Sequence, residues 1–255
     1  MKRVLIISDT HCGHKAGLTT PSFNPSTDDF YSKRTELWNW FETQILRIGK
    51  PDILVCNGDM VDGNAKKNGG VELLTTDRSK QTDMAQEIVK LINAKTTLFT
   101  EGTEYHVGKS ESWDNELAKR FGSTAKNILN FKVNGVGFNV RHHTNGSSTL
   151  NNRSNSVIQE ARWDILQNEA DGFEPHIWVR GHVHYYNLFE DVVGTKTRTY
   201  ITSPALQLPA TNYGERRCRG GVNVGFLLFN IYDNGDYGIS KYMFFSQQKK
   251  DVIVL

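Results

Sequence analysis

The sequence predicts an α/β fold on parallel strands, with a ligand site beyond the carboxyl ends of those strands. Three observations carry the expectation. Val4-Leu5-Ile6-Ile7, Ile53-Leu54-Val55-Cys56 and Thr97-Leu98-Phe99-Thr100 are strand-length runs, the first two continuously apolar as in strands buried on both faces. Helical periodicity separates one run from the next. Each run ends in a polar cluster: Ser8 to His14, Asn57 to Gly63, and Glu101 to His106. Strands that alternate with helices read as parallel strands with crossover connections, and such sheets collect ligands at their carboxyl ends.

Taken in order, the first run is followed by a long loop to about Ser26, with Pro21 and Pro25. Phe30, Leu37, Trp38, Phe41, Ile45 and Ile48 recur at helical spacing and predict a helix from about Asp28 to Ile48, stopped by Gly49 and Pro51. Further helices are expected near Lys80 to Asn93, Trp113 to Phe121 with Gly122 as cap, and Ser156 to Asn168. Asn130 to His143 reads as a hairpin turning at Asn134-Gly135. A short buried strand, Ile177-Trp178-Val179, leads into Gly181-His182-Val183-His184, and the remainder is strand-rich, with a turn near Asn234-Gly235.

Length and composition narrow the class. A chain of 255 residues without repeats or a linker is expected to form one domain over residues 1–255. A formal charge of +2 excludes a strongly basic nucleic-acid binder as a whole, though not a local basic rim. No apolar stretch is long enough to span a bilayer, so no membrane partner is expected. Cys12, Cys56 and Cys218 are odd in number and scattered, which suggests the reducing cytoplasm rather than a disulfide framework.

Six of the 8 histidines fall at strand ends: His11, His106, His142, His143, His182 and His184. Residues two apart in an extended chain face the same way, so His182 and His184 are expected to aim at one place, and Gly181 to admit close approach. Together with Asp9 and Asp59 they form a mixed carboxylate and imidazole set suited to zinc, manganese or iron. So many ligands suit two cations better than one. Two metals about 3.5–4 Å apart clamp a phosphoryl group and activate a bridging hydroxide for attack on phosphorus.

Asp9-Thr10-His11, Gly58-Asp59, Gly102 with its following residues, His142-His143 and Gly181-His182-Val183-His184 occur in that order, and in this the chain resembles the calcineurin-like metallophosphoesterase family. The resemblance implies a four-layer α/β/β/α sandwich of two mixed β-sheets. It further implies that Asp9, His11 and His184 hold one metal, that Asp59 bridges, and that His182 with His142 or His143 holds the second. One block departs from the pattern. Thr103 and Glu104 stand where the family has Asn and His, and His106 comes two places late. Thr103 or Glu104 is expected to complete the second metal, and His106 to assist the leaving group. Asp62 stands where the iron-binding branch of the family has a tyrosine, so manganese is expected first, with zinc or ferrous iron as alternatives.

Lys66, Lys67, Arg141 and Arg153 fall on loops near these clusters, as do Tyr105, Tyr185, Tyr186, Tyr213 and the loop of Arg216, Arg217 and Arg219. Lys66, Lys67, Arg141, Arg153 and Tyr105 are the expected substrate-binding residues, suited to phosphate and to stacking on a base. Phosphodiesterase or nuclease activity on a nucleotide or nucleic acid is therefore expected ahead of phosphomonoesterase activity. A noncatalytic metal-stabilised scaffold is the alternative from another class. His14, His176 and Asp62 read as structural, and Cys12 and Cys56 as buried thiols.

Overall fold

The structure, a computed structural model, describes residues 1–64, 69–107, 112–168, 172–194, 196–209 and 221–245. Two mixed sheets lie at its centre. The six-stranded sheet contains β1 (Lys2–Ile7), β2 (Ile53–Asn57), β3 (Thr96–Thr100), β4 (Ala125–Lys126), β10 (Val224–Ile231) and β11 (Tyr237–Phe244), in the order β11-β10-β1-β2-β3-β4. Strands β1 to β4 run parallel and β10 and β11 antiparallel to their neighbours. The five-stranded sheet contains β5 (Leu129–Val133), β6 (Val136–Arg141), β7 (Ile177–Arg180), β8 (Asn187–Val193) and β9 (Lys196–Thr202), in the order β5-β6-β7-β9-β8.

Strand alternation sorts the side chains into layers. Val4, Ile6, Val55, Leu227 and Phe229 face Phe138, Val140, Ile177, Val179 and Ile201 of the other sheet. Leu5, Ile7, Leu54, Cys56 and Phe226 face the opposite way. They pack on α1 (Tyr31–Ile48), α2 (Arg78–Ile92) and α4 (Trp113–Arg120) through Leu37, Phe41, Ile45, Met84, Ile88 and Leu117. On the far side of the five-stranded sheet, Val157 and Ala161 of α5 (Asn155–Asn168) cover Trp178 and Tyr200. The result is the expected four-layer α/β/β/α sandwich. Each large apolar side chain so buried contributes about 1.5–3 kcal/mol.

The hairpin turns at Asn134-Gly135, as the sequence predicts: Val133 pairs with Val136 and both turn residues have positive φ, 46° and 84°. Helix α1 starts three residues after the expected Asp28. That carboxylate instead accepts the Phe30 amide and both ends of the buried Arg34 guanidinium, at 2.8 and 2.9 Å, which closes the preceding loop against the helix. The two-residue β4 and the one-turn α3 (Glu104–Val107) were not legible, because each is shorter than one period of its pattern.

Arg180, the last residue of β7, is fully buried. It donates to Glu160 at 2.6 Å and to Asp164 at 3.2 Å, both on α5, and to the carbonyls of Asn139 and Val179. Glu160 also accepts from Thr144, so one ionic cluster fixes the ends of β6 and β7, where His142 and His182 begin. Removing one member of such a cluster strands the others. Arg180→Met should therefore lower stability by about 3 kcal/mol, read from the urea midpoint. A loss below about 1 kcal/mol would show that Glu160 and Asp164 find water instead.

Candidate metal centre

The carboxyl ends of β1, β2, β3, β6 and β7 converge, and they carry the polar clusters with them. Five of the residues there sit in the left-handed region although none is glycine: Asp9, His11, Asp59, His182 and His184, with φ of 53°, 44°, 48°, 68° and 55°. Such conformations cost about 1–3 kcal/mol each and persist only where the surroundings hold them, as at functional sites.

Two groups of possible ligand atoms adjoin here, and a third, His11 with Asp62 and His106, shares His11 with the first. In the first, Asp9, His11 and His184 come together. The Nε2 atoms of His11 and His184 face each other at 3.2 Å, and Asp9 Oδ1 lies 3.1 Å from His184 and 3.8 Å from His11. Ligands sharing one ion at about 2.0–2.2 Å stand roughly 3–3.5 Å apart, so these separations suit a shared cation. Asp9 Oδ1 is buried and has no hydrogen-bond partner, whereas Oδ2 accepts from Ser8 at 2.5 Å and from the His182 amide at 3.2 Å. A buried acceptor left free in this way is costly without a cation.

The second group is Asp59, His142 and His182. His142 donates from Nδ1 to the Asn57 carbonyl at 2.7 Å, which leaves Nε2 directed at Asp59 Oδ2, 2.9 Å away. The same Nε2 lies 3.8 Å from Asp9 Oδ1, so the two groups adjoin and Asp9 Oδ1 reaches both. His143 is turned outward and stacks on His182 with ring centroids 4.9 Å apart. Thr103 donates to Asp59 through its amide, at 2.7 Å, and through its hydroxyl. Glu104 is exposed at the start of α3.

His182 and His184 thus serve different groups, as the family resemblance implies and not as the extended-strand reading expects. Strand β7 ends at Arg180, and the left-handed turns at both histidines replace the extended geometry on which that expectation depends. Gly181 does admit close approach: a Cβ there would lie 2.4 Å from Ser8 Oγ, 2.9 Å from His142 Nδ1 and 3.0 Å from Asp9 Oδ2.

The charges favour a cation. Burial alone would push the Asp9 and Asp59 carboxyls up, yet the neighbouring imidazoles, His142 foremost, outweigh it and hold both down. Burial opposes protonation of His142 too, but Asp59 and Asp9 raise it to about 10. A field that holds a proton there also favours a metal ion. His182, with burial and His142 both lowering it, falls to about 4 and stays a neutral donor at pH 7.

Asp62 orients the surrounding histidines. Its Oδ1 accepts from His11 Nδ1 at 2.7 Å, which leaves His11 Nε2 directed at the first group, and lies 3.3 Å from His106 Nδ1. The Asp62 carbonyl accepts from His106 Nδ1 at 2.9 Å. Burial would lower His106, but Asp59 and Asp62 outweigh it and raise it to about 9. Its ring meets His11 edge-on at 4.6 Å.

The sequence profile of calcineurin-like phosphoesterases matches residues 2–186, a span that contains every one of these side chains. The chain belongs to the calcineurin-like phosphoesterase family. No curated protein shows a significant match. Among solved structures, a single mutant of Vps29 from Entamoeba histolytica is 14% identical, covering 95% of this chain and 99% of its own, with a TM-score of 0.44. The wild-type Vps29 of that organism, complexed with zinc, is 14% identical over 94% of this chain and 98% of its own, with a TM-score of 0.43. A predicted phosphoesterase from Streptococcus pneumoniae is 9% identical over 95% and 97%, with a TM-score of 0.39.

As a calcineurin-like phosphoesterase the chain is a metal-dependent hydrolase of phosphate esters. The residues present suit divalent ions, through the free Asp9 Oδ1 and a nitrogen and oxygen donor set. Around the family's ligand positions the substrate candidates are scattered. Arg153 lays its guanidinium over the Tyr185 ring at 4.4 Å, and Tyr185 directly follows His184. Tyr105 lies edge-on against His106 at 4.9 Å, and Arg141 is half-buried at the end of β6. Lys66, Lys67, Tyr213, Arg216, Arg217, Arg219 and Cys218 lie outside the described residues. Among the described residues no helix is long and apolar enough to cross a membrane. Sequence reasoning missed Gln81, whose buried amide grips Gly63 from both sides, at 2.7 and 2.8 Å, next to Asp62. It also missed Asp114, and neither residue belongs to a motif.

Proposed function

We propose that the chain is a dinuclear phosphodiesterase that acts on nucleotide or nucleic-acid substrates in the cytoplasm, with manganese ahead of zinc or iron. The observation that carries this reading is the pair of adjoining ligand groups, Asp9 with His11 and His184, and Asp59 with His142 and His182, joined through the free Asp9 Oδ1. His142 is favoured over His143 because its Nε2 points inward at Asp59. Thr103 is favoured over exposed Glu104 because its hydroxyl already reaches Asp59. The family pattern makes Asp59 the bridge, and Asp9 Oδ1 is a second oxygen near both groups. The donor sets combine carboxylate oxygen with imidazole nitrogen, which admits manganese beside zinc and iron.

When bound, the two ions would acidify a water to nucleophilic strength and neutralise the non-bridging phosphoryl oxygens. The chain's own groups do the rest. Asp62 and the Asn57 carbonyl fix the tautomers of His11 and His142, so that the free nitrogens face inward. His106, whose Nδ1 is held by the Asp62 carbonyl beside the Asp62 carboxylate, can give a proton or positive charge to the departing oxygen. Arg153 and Arg141 offer charge, and exposed Tyr105 an aromatic face, for a nucleotide. The free, buried thiols of Cys12 and Cys56 support a reducing compartment.

The test is hydrolysis of bis-p-nitrophenyl phosphate and p-nitrophenyl phosphate by metal-stripped protein resupplied with manganese. Diester turnover should require metal and His184, and His106→Ala should lower it about 10²–10⁴-fold with metal content unchanged. Monoester turnover alone would point to a phosphatase. Two bound ions without turnover on either ester would leave the scaffold reading. If His106→Ala stays within a few-fold of wild type, the assignment of His106 is wrong.

A further inference from the structure

Asp114 belongs to neither ligand group, but it touches the loops that carry both Asp59 and Thr103. It lies in the first turn of α4 and is fully buried. Both of its oxygens are taken by backbone amides. Oδ1 accepts from Met60, the residue after Asp59, at 3.1 Å. Oδ2 accepts from Gly102, the residue before Thr103, at 2.9 Å. The Thr103 amide in turn donates to Asp59 Oδ1 at 2.7 Å, which closes a ring of three hydrogen bonds between the ends of β2 and β3. The ring is tight: a Cβ on Gly102 would stand 2.1 Å from Asp59 Oδ1 and 2.9 Å from Asp114 Oδ2. Two buried carboxylates pressed on one glycine repel each other, and either a proton or a nearby cation relieves the repulsion.

We propose that Asp114 is a positioning residue for the ion held by Asp59 and His142: its carboxylate sets the spacing of the Asp59 and Thr103 loops without contact with substrate. This rests on the dinuclear reading above. A carboxylate is needed because both partners are donors. An asparagine of the same shape would turn its own NH2 towards one of those amides and open the ring.

The experiment is calorimetric titration of metal-stripped wild type and Asp114→Asn with manganese alone. Wild type should take up two ions. In the variant the affinity for one of them should fall about 10–100-fold, with the other unchanged. Turnover of bis-p-nitrophenyl phosphate lost at low manganese should return at saturating manganese with KM unaltered. Equal affinities in the two proteins, or a raised KM at saturating metal, would overturn the inference while leaving the dinuclear reading intact. A wild type that binds fewer than two ions would overturn both. Should Asp114→Asn not fold, zinc titration of 15N-labelled wild type decides. The Met60 and Gly102 amide resonances should move with one binding step only, and resonances that stay fixed through both steps would overturn the inference.

Discussion

Asp59→Asn should abolish turnover while leaving the fold in place. Asp59 is buried, accepts from the Thr103 amide and hydroxyl, and holds His142 Nε2 at 2.9 Å. The asparagine fills the same volume but removes the charge, and its NH2 group must face either Thr103 or His142. Loss of one partner from a buried charged pair costs about 3–5 kcal/mol, which corresponds to roughly 10²–10³-fold or more in rate or ion affinity. Manganese stoichiometry should fall from two ions to one, and the far-ultraviolet circular dichroism spectrum should match wild type. A variant that keeps two ions and a tenth or more of the activity would remove Asp59 from the centre.

Gly102→Ala should reach nearly the same functional loss from the opposite direction, by adding one carbon. The new Cβ would lie 2.1 Å from Asp59 Oδ1 and 2.4 Å from the Asp59 nitrogen. Neither neighbour can yield, because one is backbone and the other is held by Thr103. Overpacking of this kind costs about 1–3 kcal/mol, or about 2–10 °C in Tm for a chain of this size. Gly238→Ala is the control, since a Cβ there meets nothing within 4 Å. If Gly102→Ala melts like the control and keeps its metal, the two strand ends are not packed as described.

The parallel strands of the first sheet were legible in the sequence, because strands buried on both faces must be continuously apolar and the chain must turn polar where they end, whereas the four-layer sandwich was implied by the family resemblance. Val4 to Ile7 followed by Asp9 and His11 shows both halves of that rule. The partition of ligands was implied by the family resemblance and was not legible from residue spacing alone. His182 and His184 look equivalent in a linear pattern, and only left-handed backbone at each sends them to separate groups. Adjacent His142 and His143 differ only in which one the Asn57 carbonyl captures, a contact between residues 85 positions apart. Asp114 left no readable signal. An acidic residue in the first turn of a helix is what the helix dipole favours anywhere, so its link to Met60 and Gly102 is visible only in three dimensions.

The left-handed backbone at Asp9, His11, Asp59, His182 and His184 bears on how this protein would respond to selection. At each of these positions glycine would relieve the main chain, but only by removing the side chain that the chemistry needs. A laboratory campaign for heat tolerance, run without a screen for turnover, should therefore collect glycine first at His182 and His184, the two of the five that are only partly buried. The survivors would be sturdier and inert.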